Sequence, residues 1–300
     1  MFDVAIVGGG PAGLSAALVL GRCRRRVLVV DAGRPRNAAS RALHGYLTRD
    51  GVSPLELLRL GRSELVSYGI QLRSAEVTGI ARTADGFDVA LDDGERLHAR
   101  TTLIASGVRD HLPAVPGIEE CFGITVHHCP YCDGWEVRDK TLAVMGRAPG
   151  ATALALALST WSARILVCSN GTRLRPDHRR QLAAHAIEVH DSPIARVEHD
   201  RGLVRALVTT AGETLACDAV FLASGQAPQS DLPRRLGCEL TRRGVVKTDH
   251  LGQTCVPGVY VAGDASRDVQ FAIVAAAEGA KAAVAINKAL QAGAGLTVAS

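Results

Sequence analysis

The residues best suited to chemistry in this 300-residue chain are concentrated in one run, His127-His128-Cys129-Pro130-Tyr131-Cys132-Asp133. Two thiols separated by two residues can ligate a metal, close a reversible disulfide or exchange electrons with a cofactor. The thiolate is the reactive form in each case, so neighbouring groups that take up the thiol protons matter. His128 adjoins Cys129 and is a candidate base. The other six cysteines, Cys23, Cys121, Cys168, Cys217, Cys238 and Cys255, stand alone in sequence and read as small buried hydrophobes.

Three readings of the pair compete. A structural zinc site takes four ligands, often as two pairs, and only one C-x-x-C is present, with Cys121, His127 and His128 as the nearest additions. A thioredoxin-like fold places its C-x-x-C early, beside a short βαβ unit, whereas this one lies mid-chain. The third reading is a redox dithiol working against a flavin, with no metal.

The surrounding elements favour the third. Residues 3–31 read as an apolar strand, a glycine turn, a helix and a second strand. Gly8, Gly10 and Gly13 form G-x-G-x-x-G around Pro11 and Ala12, and Asp31 ends the second strand 23 residues after Gly8. Strand, turn, helix and acid together make a dinucleotide fingerprint. Gly8 permits the tight turn, Gly10 lets a pyrophosphate reach the backbone, and Gly13 lets helix and strand pack closely. The helix N-terminus then faces the phosphates, and Asp31 can bond a ribose hydroxyl. A long irregular stretch follows, with Asn37, Ser40, His44 and Asp50 as polar candidates, and its length suggests that it lines a site.

The chain also echoes itself. "TTLIASG" ends at Gly107 and "DAVFLASG" at Gly225, each an apolar strand closing in Ala-Ser-Gly. A second strand–turn–helix spans 142–160, and a strand and helix return near the C-terminus. The expected fold is α/β, with two Rossmann-like (three-layer ββα) dinucleotide-binding domains, the second inserted into the first. The outer domain is expected over 1–113 and 245–300, and the inserted domain, carrying the C-x-x-C, over 114–244.

"GGGPAGLSAA", "ASG", "CPYCDG" and "GVYVAGDASRD" occur in that order. On these motifs the chain resembles the low-molecular-weight thioredoxin reductases and their flavoprotein relatives over nearly its whole length. The resemblance implies FAD on the outer domain, with Gly8, Gly10, Pro11, Ala12, Gly13, Asp31, Asn37, Gly107, Gly263 and Asp264 as its cofactor-binding residues. Asp264 would bond the ribityl chain. The helix starting near Phe271 would aim its positive N-terminus at the flavin and stabilise its anionic reduced form. The family's usual glutamine there aligns with Phe271, with Gln270 beside it. Cys132 would face the flavin, Cys129 would meet the substrate, and Asp133 would be the acid–base residue. A homodimer is also implied.

Two departures bear on the direction of electron flow. The second nucleotide loop reads Gly146-Arg-Ala148-Pro-Gly150-Ala151, with Ala148 where the middle glycine of an NADPH site belongs. A methyl there obstructs a pyrophosphate. The next strand ends without the family's basic cluster, and Arg173 and Arg175 are the only nearby substitutes. NADPH binding is therefore left open. Second, "RN…S…HGYLTRDG" resembles the dithiol oxidases of the superfamily, which makes Asn37 and His44 candidate groups near the substrate thiols.

The favoured reading is a FAD-dependent disulfide oxidoreductase that oxidises a dithiol, with oxygen as acceptor. The alternatives are an NADPH-dependent reductase of a thioredoxin-like protein, a ferredoxin-driven reductase, and a flavin-binding redox sensor without turnover. The expected partner is a small dithiol or disulfide, or a thioredoxin-like protein. Net charge is +4 with scattered arginines, and aromatic residues are 4% of the chain. Neither a basic stripe nor a base-stacking platform is present, which argues against nucleic acid. A strand beginning at residue 3 leaves no room for a secretory leader. The most apolar helical stretch, 269–290, is interrupted by Glu278, Lys281 and Lys288, so no membrane association is expected and the cytoplasm is the expected location.

Overall fold

A computed structural model describes residues 1–242, 244–266 and 269–294. The chain forms two compact units. Unit 1 contains Met1–Arg36, Gly45–Arg109 and the chain from Ala227 onward; unit 2 contains Asn37–His44 and Asp110–Gln226.

Unit 1 opens with β1 (Phe2–Val7), α1 (Pro11–Arg22) and β2 (Val27–Asp31). Ser53 caps α2 (Pro54–Leu65), its side chain accepting the Glu56 amide at 3.1 Å. That is the Ser-x-x-Glu start signal with proline at the first helical position. β3 (Gln71–Ser74) follows, then the meander β4 (Val77–Arg82), β5 (Phe87–Leu91) and β6 (Arg96–Ile104). The sheet runs β3-β2-β1-β6-β5-β4. Strands β1, β2, β3 and the end of β6 are parallel, and β4–β6 are antiparallel. β1 and β2 are apolar on both faces because helices cover one and further chain the other. β7 (Val108–Asp110) leads out of the unit.

Unit 2 holds α3 (Ile118–Cys121), β8 (Val126–His127), the four-residue helix α4 (Pro130–Asp133), β9 (Thr141–Gly146), α5 (Gly150–Leu158), β10 (Arg164–Cys168), α6 (Pro176–Ala183) and β11 (Glu188–His190). The antiparallel meander β12 (Ile194–Asp200), β13 (Leu203–Thr209) and β14 (Thr214–Ala216) precedes β15 (Ala219–Ala223). The main sheet is fully parallel, in the order β11-β10-β9-β15-β8. β16 (Gln226–Pro228) pairs with β7, so outgoing and returning strands form one ribbon. The chain from Ala227 then adds α7 (Leu232–Arg235), β17 (Val259–Val261) beside the end of β6, and the 22-residue helix α8 (Ala272–Gly293).

The boundaries differ from the sequence expectation. The crossings fall at 109/110 and 226/227, not near 113 and 244, because the β7–β16 ribbon ties them together. Residue 243 of the expected Arg-Arg-Gly boundary turn lies outside the described residues. Asn37–His44 packs with unit 2 rather than the unit that flanks it: a side chain on Gly123 would come within 2.5 Å of the Ala39 carbonyl carbon.

Candidate active site

The fingerprint of unit 1 behaves as its glycines require. A Cβ on Gly8, at φ +108°, would stand 2.4 Å from the Ala105 oxygen, and one on Gly13 would stand 1.9 Å from the Gly8 oxygen. Of these three glycines, Gly10 alone looks into open space. A Cβ added there would meet nothing within 4 Å, so the N-terminal end of α1 is accessible to a phosphate. Pro11 occupies the first turn of α1, and Ala12 lies buried beneath it. A cavity of about 550 Å³ runs past Gly8, Asp31, Ala32, Glu76 and Ser106. Asp31 Oδ2 is held by Arg62 Nη2 at 2.5 Å, and its Oδ1 accepts the Gly33 amide at 3.3 Å. Gly107 turns at φ +69° and accepts the Gln229 amide at 3.0 Å. These residues fit the adenosine pyrophosphate of FAD.

Across α1 lies the second half of the cradle. A Cβ on Gly263 would meet that of Ala12 at 3.0 Å, and one on Gly279 would stand 2.0 Å from the Ala12 oxygen, so α8 and the Gly263–Ala265 turn pack hard on α1. The Gly263 amide donates to Glu278 Oε2 at 2.8 Å. Asp264 Oδ2 and Gln270 Oε1 both accept from Arg36 Nη1, at 2.8 and 2.7 Å. Phe271 caps α8 in extended backbone without a side-chain hydrogen bond to the cap. Of the expected cofactor residues only Asn37 falls outside unit 1.

In unit 2, Cys129 and Cys132 form a disulfide with Cα atoms 5.3 Å apart. Pro130 starts α4, and Cys129 is its N-cap, with Sγ accepting the Cys132 amide at 3.1 Å. Each cysteine's sulfur is thereby bonded to the other, which takes from the zinc reading its central ligand pair. Its further candidate Cys121 is buried in an apolar cluster, where desolvation pushes the thiol up to about 11. Burial likewise raises Cys168 and Cys217 to about 12. Cys238 is buried too, but Cys23 and Cys255 are exposed, against the expectation for lone cysteines.

Two imidazole–carboxylate pairs draw on residues close to the disulfide in sequence. His127 Nδ1 lies 3.3 Å from Asp133 Oδ1. Its ring is buried against Phe221 at 5.4 Å, and its Nε2 has no hydrogen-bond partner among the described residues. His44 Nε2 lies 3.4 Å from Glu136 Oε1. His128, adjacent to Cys129 in sequence, faces Asp110 at 4.0 Å and stacks on Phe122 at 6.2 Å between centroids. Sequence reasoning therefore missed His127 as the partner of Asp133, and Glu136 and Arg36 altogether. Glu136 had one signal, its place three residues beyond Asp133.

The second nucleotide loop differs from the first. Ala148 packs on the apolar cluster behind α5, and α5 begins after Pro149, with no side-chain cap. Arg175 is exposed and turned to Asp177 at 3.0 Å, and Arg173 is exposed.

A fold of two Rossmann-type units with a redox disulfide defines a class, and residues 2–279 match the pyridine nucleotide-disulphide oxidoreductases. The chain belongs to that family, an oxidoreductase family whose thioredoxin reductase branch binds FAD. Within it the chain is similar to "Thioredoxin reductase sirT" of Leptosphaeria maculans, 30% identical over 96% of this chain and 94% of that one. It is 31% identical to "Thioredoxin reductase tcpT" of Claviceps purpurea, over 87% and 86%. The solved structure of HlmI matches with a TM-score of 0.93 and 38% identity, covering 96% of this chain and 92% of that one. No helix among the described residues is long and apolar enough to cross a membrane.

Proposed function

We propose that the enzyme oxidises a small dithiol to a disulfide, with oxygen as the final acceptor. The observation that carries this reading is that Asp133 and Glu136, one and four residues beyond Cys132 of the disulfide, are each paired with an imidazole, His127 and His44. Closing a dithiol releases two protons and two electrons, and each pair is suited to take one proton. A substrate thiolate attacks Cys129 Sγ, the Cys129–Cys132 bond breaks, and Cys132 leaves as thiolate. The second substrate thiolate attacks the substrate sulfur of that mixed disulfide; the product disulfide forms and Cys129 is released. Asp133, backed by His127 Nδ1, takes the proton of one substrate thiol. His44, oriented through Nε2 by Glu136, takes the other at its second ring nitrogen. Bound FAD supplies the two-electron relay from the cysteine pair to oxygen, which with two protons leaves as hydrogen peroxide.

The second reading is an NADPH-dependent reductase of a thioredoxin-like protein, favoured by the names of the relatives sirT and tcpT. Anaerobic titration at the flavin band separates the two. Bleaching by a dithiol such as dithiothreitol, peroxide release in air, and at least a roughly hundredfold slower rate in His44→Ala support the oxidase. Rapid bleaching by micromolar NADPH with turnover of a thioredoxin-like disulfide overturns it in favour of the reductase. In Cys129→Ser the Cys132 thiolate should give a long-wavelength band against oxidised flavin; that band in Cys132→Ser instead would reverse the two cysteine roles.

A further inference from the structure

We propose that Cys238 and Cys255 form a second redox pair, which hydrogen peroxide converts to a disulfide within unit 1. Neither residue has a cysteine near it in sequence, but the fold lays 237–239 beside 254–256. The Cys255 sulfur accepts the Glu239 amide at 3.4 Å, and its thiol donates to the Gly237 carbonyl at 3.7 Å. Cys255 therefore reaches the backbone on both sides of Cys238. In return, the Cys238 thiol donates to Oγ1 of Thr254, the residue before Cys255, at 3.6 Å. Each sulfur rests against the chain neighbours of the other. A disulfide requires two cysteines whose side chains converge, with Cα atoms about 4.4–6.8 Å apart. Crossed hydrogen bonds of this kind are the contacts expected of such a pair.

The two thiols differ in access, which divides the work. Cys255 is exposed, whereas Cys238 is buried in the cluster with Leu232, Val246, Val259 and Val261. Burial pushes the Cys238 thiol up, and a Cys255 thiolate beside it pushes the same way, so Cys238 keeps its proton while Cys255 meets the oxidant. The Cys255 thiolate attacks one peroxide oxygen, the O–O bond breaks, and hydroxide leaves a sulfenic acid on Cys255. Cys238 then attacks that sulfur, the S–O bond breaks, and water leaves as the disulfide forms. The two thiols give up two electrons and two protons, and peroxide becomes two waters. The Cys238 amide donates to the Pro233 carbonyl at 2.9 Å, so the new bond would tie α7 to the turn before β17. Cys168 and Cys217 are both buried, which denies them the exposed member that this chemistry needs. The pair goes beyond the proposed reaction: a dithiol oxidase would release the oxidant beside it, but peroxide from any source suffices.

The test is peptide mapping of the purified full-length protein after treatment with hydrogen peroxide. Trypsin cleavage after Arg242 and Lys247 puts the two cysteines in separate peptides. In most wild-type molecules these peptides should become linked through Cys238 and Cys255, and dithiothreitol should release them. In Cys238→Ala the sulfenic acid on Cys255 has nothing to resolve it, so dimedone should label Cys255 there and leave wild type largely unlabelled. In Cys255→Ser, Cys238 should stay a free thiol under the same treatment. Absence of the linked peptide from treated wild type overturns the proposal, whether both thiols survive or Cys255 passes on to sulfinic acid. Equal dimedone labelling in wild type and Cys238→Ala overturns it too, as does a link from Cys255 to a second chain in place of Cys238. Peroxide is added in these experiments, so they do not depend on turnover. A protein that oxidises no dithiol but forms the link would lose the proposed direction of electron flow and keep the second pair.

Discussion

Gly10 and Ala148 hold the same place in two strand–loop–helix segments of one chain, and Gly10 looks into open space while Ala148 packs against a core. The two segments share their first step. Gly8 sits against Ala105, and Gly146, at φ +155°, sits against Ala223, where an added Cβ would come within 2.8 Å of the alanine side chain. Ala105 and Ala223 are the alanines of the two Ala-Ser-Gly echoes, so the repeat in sequence is a repeat in packing. They diverge afterwards. Gly13 gives way to buried Ala151, and the strand that ends in Asp31 in unit 1 ends in Cys168 in unit 2. Ser169 follows it, buried and bonded to Asp191 at 2.9 Å. One scaffold thus keeps its turn in both copies, while the residues that follow the turn differ between them.

The strongest way to break this comparison is Gly13→Ala. The new methyl would stand 1.9 Å from the Gly8 oxygen, which is backbone and cannot swing aside. We expect loss of FAD and destabilisation of roughly 3 kcal/mol, read from flavin absorbance and thermal unfolding. A variant that retains stoichiometric FAD would show that close helix–strand packing does not define the site.

Next in size is the alkaline response of unit 2. Cys168 and Cys217 are held near 12 by burial, against 9 for an ordinary thiol. The native thiols keep protons that the unfolded chain releases above pH 9, so stability falls as pH rises from 9 towards 12. At pH 10 each contributes a loss of about 1.4 kcal/mol relative to neutral pH. Urea unfolding at pH 8 and 10 should show this drop in wild type and lose most of it in the Cys168→Ala, Cys217→Ala double variant.

Ala148→Gly addresses the second loop directly. If the methyl accounts for poor nucleotide binding, NADPH affinity should rise about tenfold, or roughly 1.4 kcal/mol, in flavin-bleaching titrations. No change would show that the Ala148 methyl does not limit nucleotide binding. The smallest effect belongs to Ala151→Gly. It should cost about 1 kcal/mol in unfolding, as glycine in a helix does, and leave FAD content untouched.

The sequence made the first fingerprint, the internal echo and the redox pair legible because each depends on residues near one another in the chain. His127 and His128 could not be ranked that way. The two-residue strand β8 buries Val126 and His127, too short a segment for alternation to be read. Glu136 became informative only when the distant segment carrying His44 was brought to it. Residue type also failed for Cys23, which lies exposed at the C-cap of α1, where chain position outweighs the usual burial of cysteine. The crossing points were misplaced because Pro113, Pro116 and Gly117 look like punctuation but lie inside unit 2.

Asn37–His44 has a consequence for synthesis and for engineering. These residues emerge from the ribosome long before 110–226, the rest of the unit to which they belong. They must wait unsatisfied until Gly123 and its neighbours arrive, while the flanking strands of the other unit are already forming. An excised 110–226 fragment would carry both cysteines yet lack the backbone that covers Gly123 and the imidazole that faces Glu136. A graft of this redox loop onto another scaffold must therefore bring two pieces of chain, and a circular permutant opened between 37 and 44 should fold less readily than one opened at an exposed turn such as Gly212.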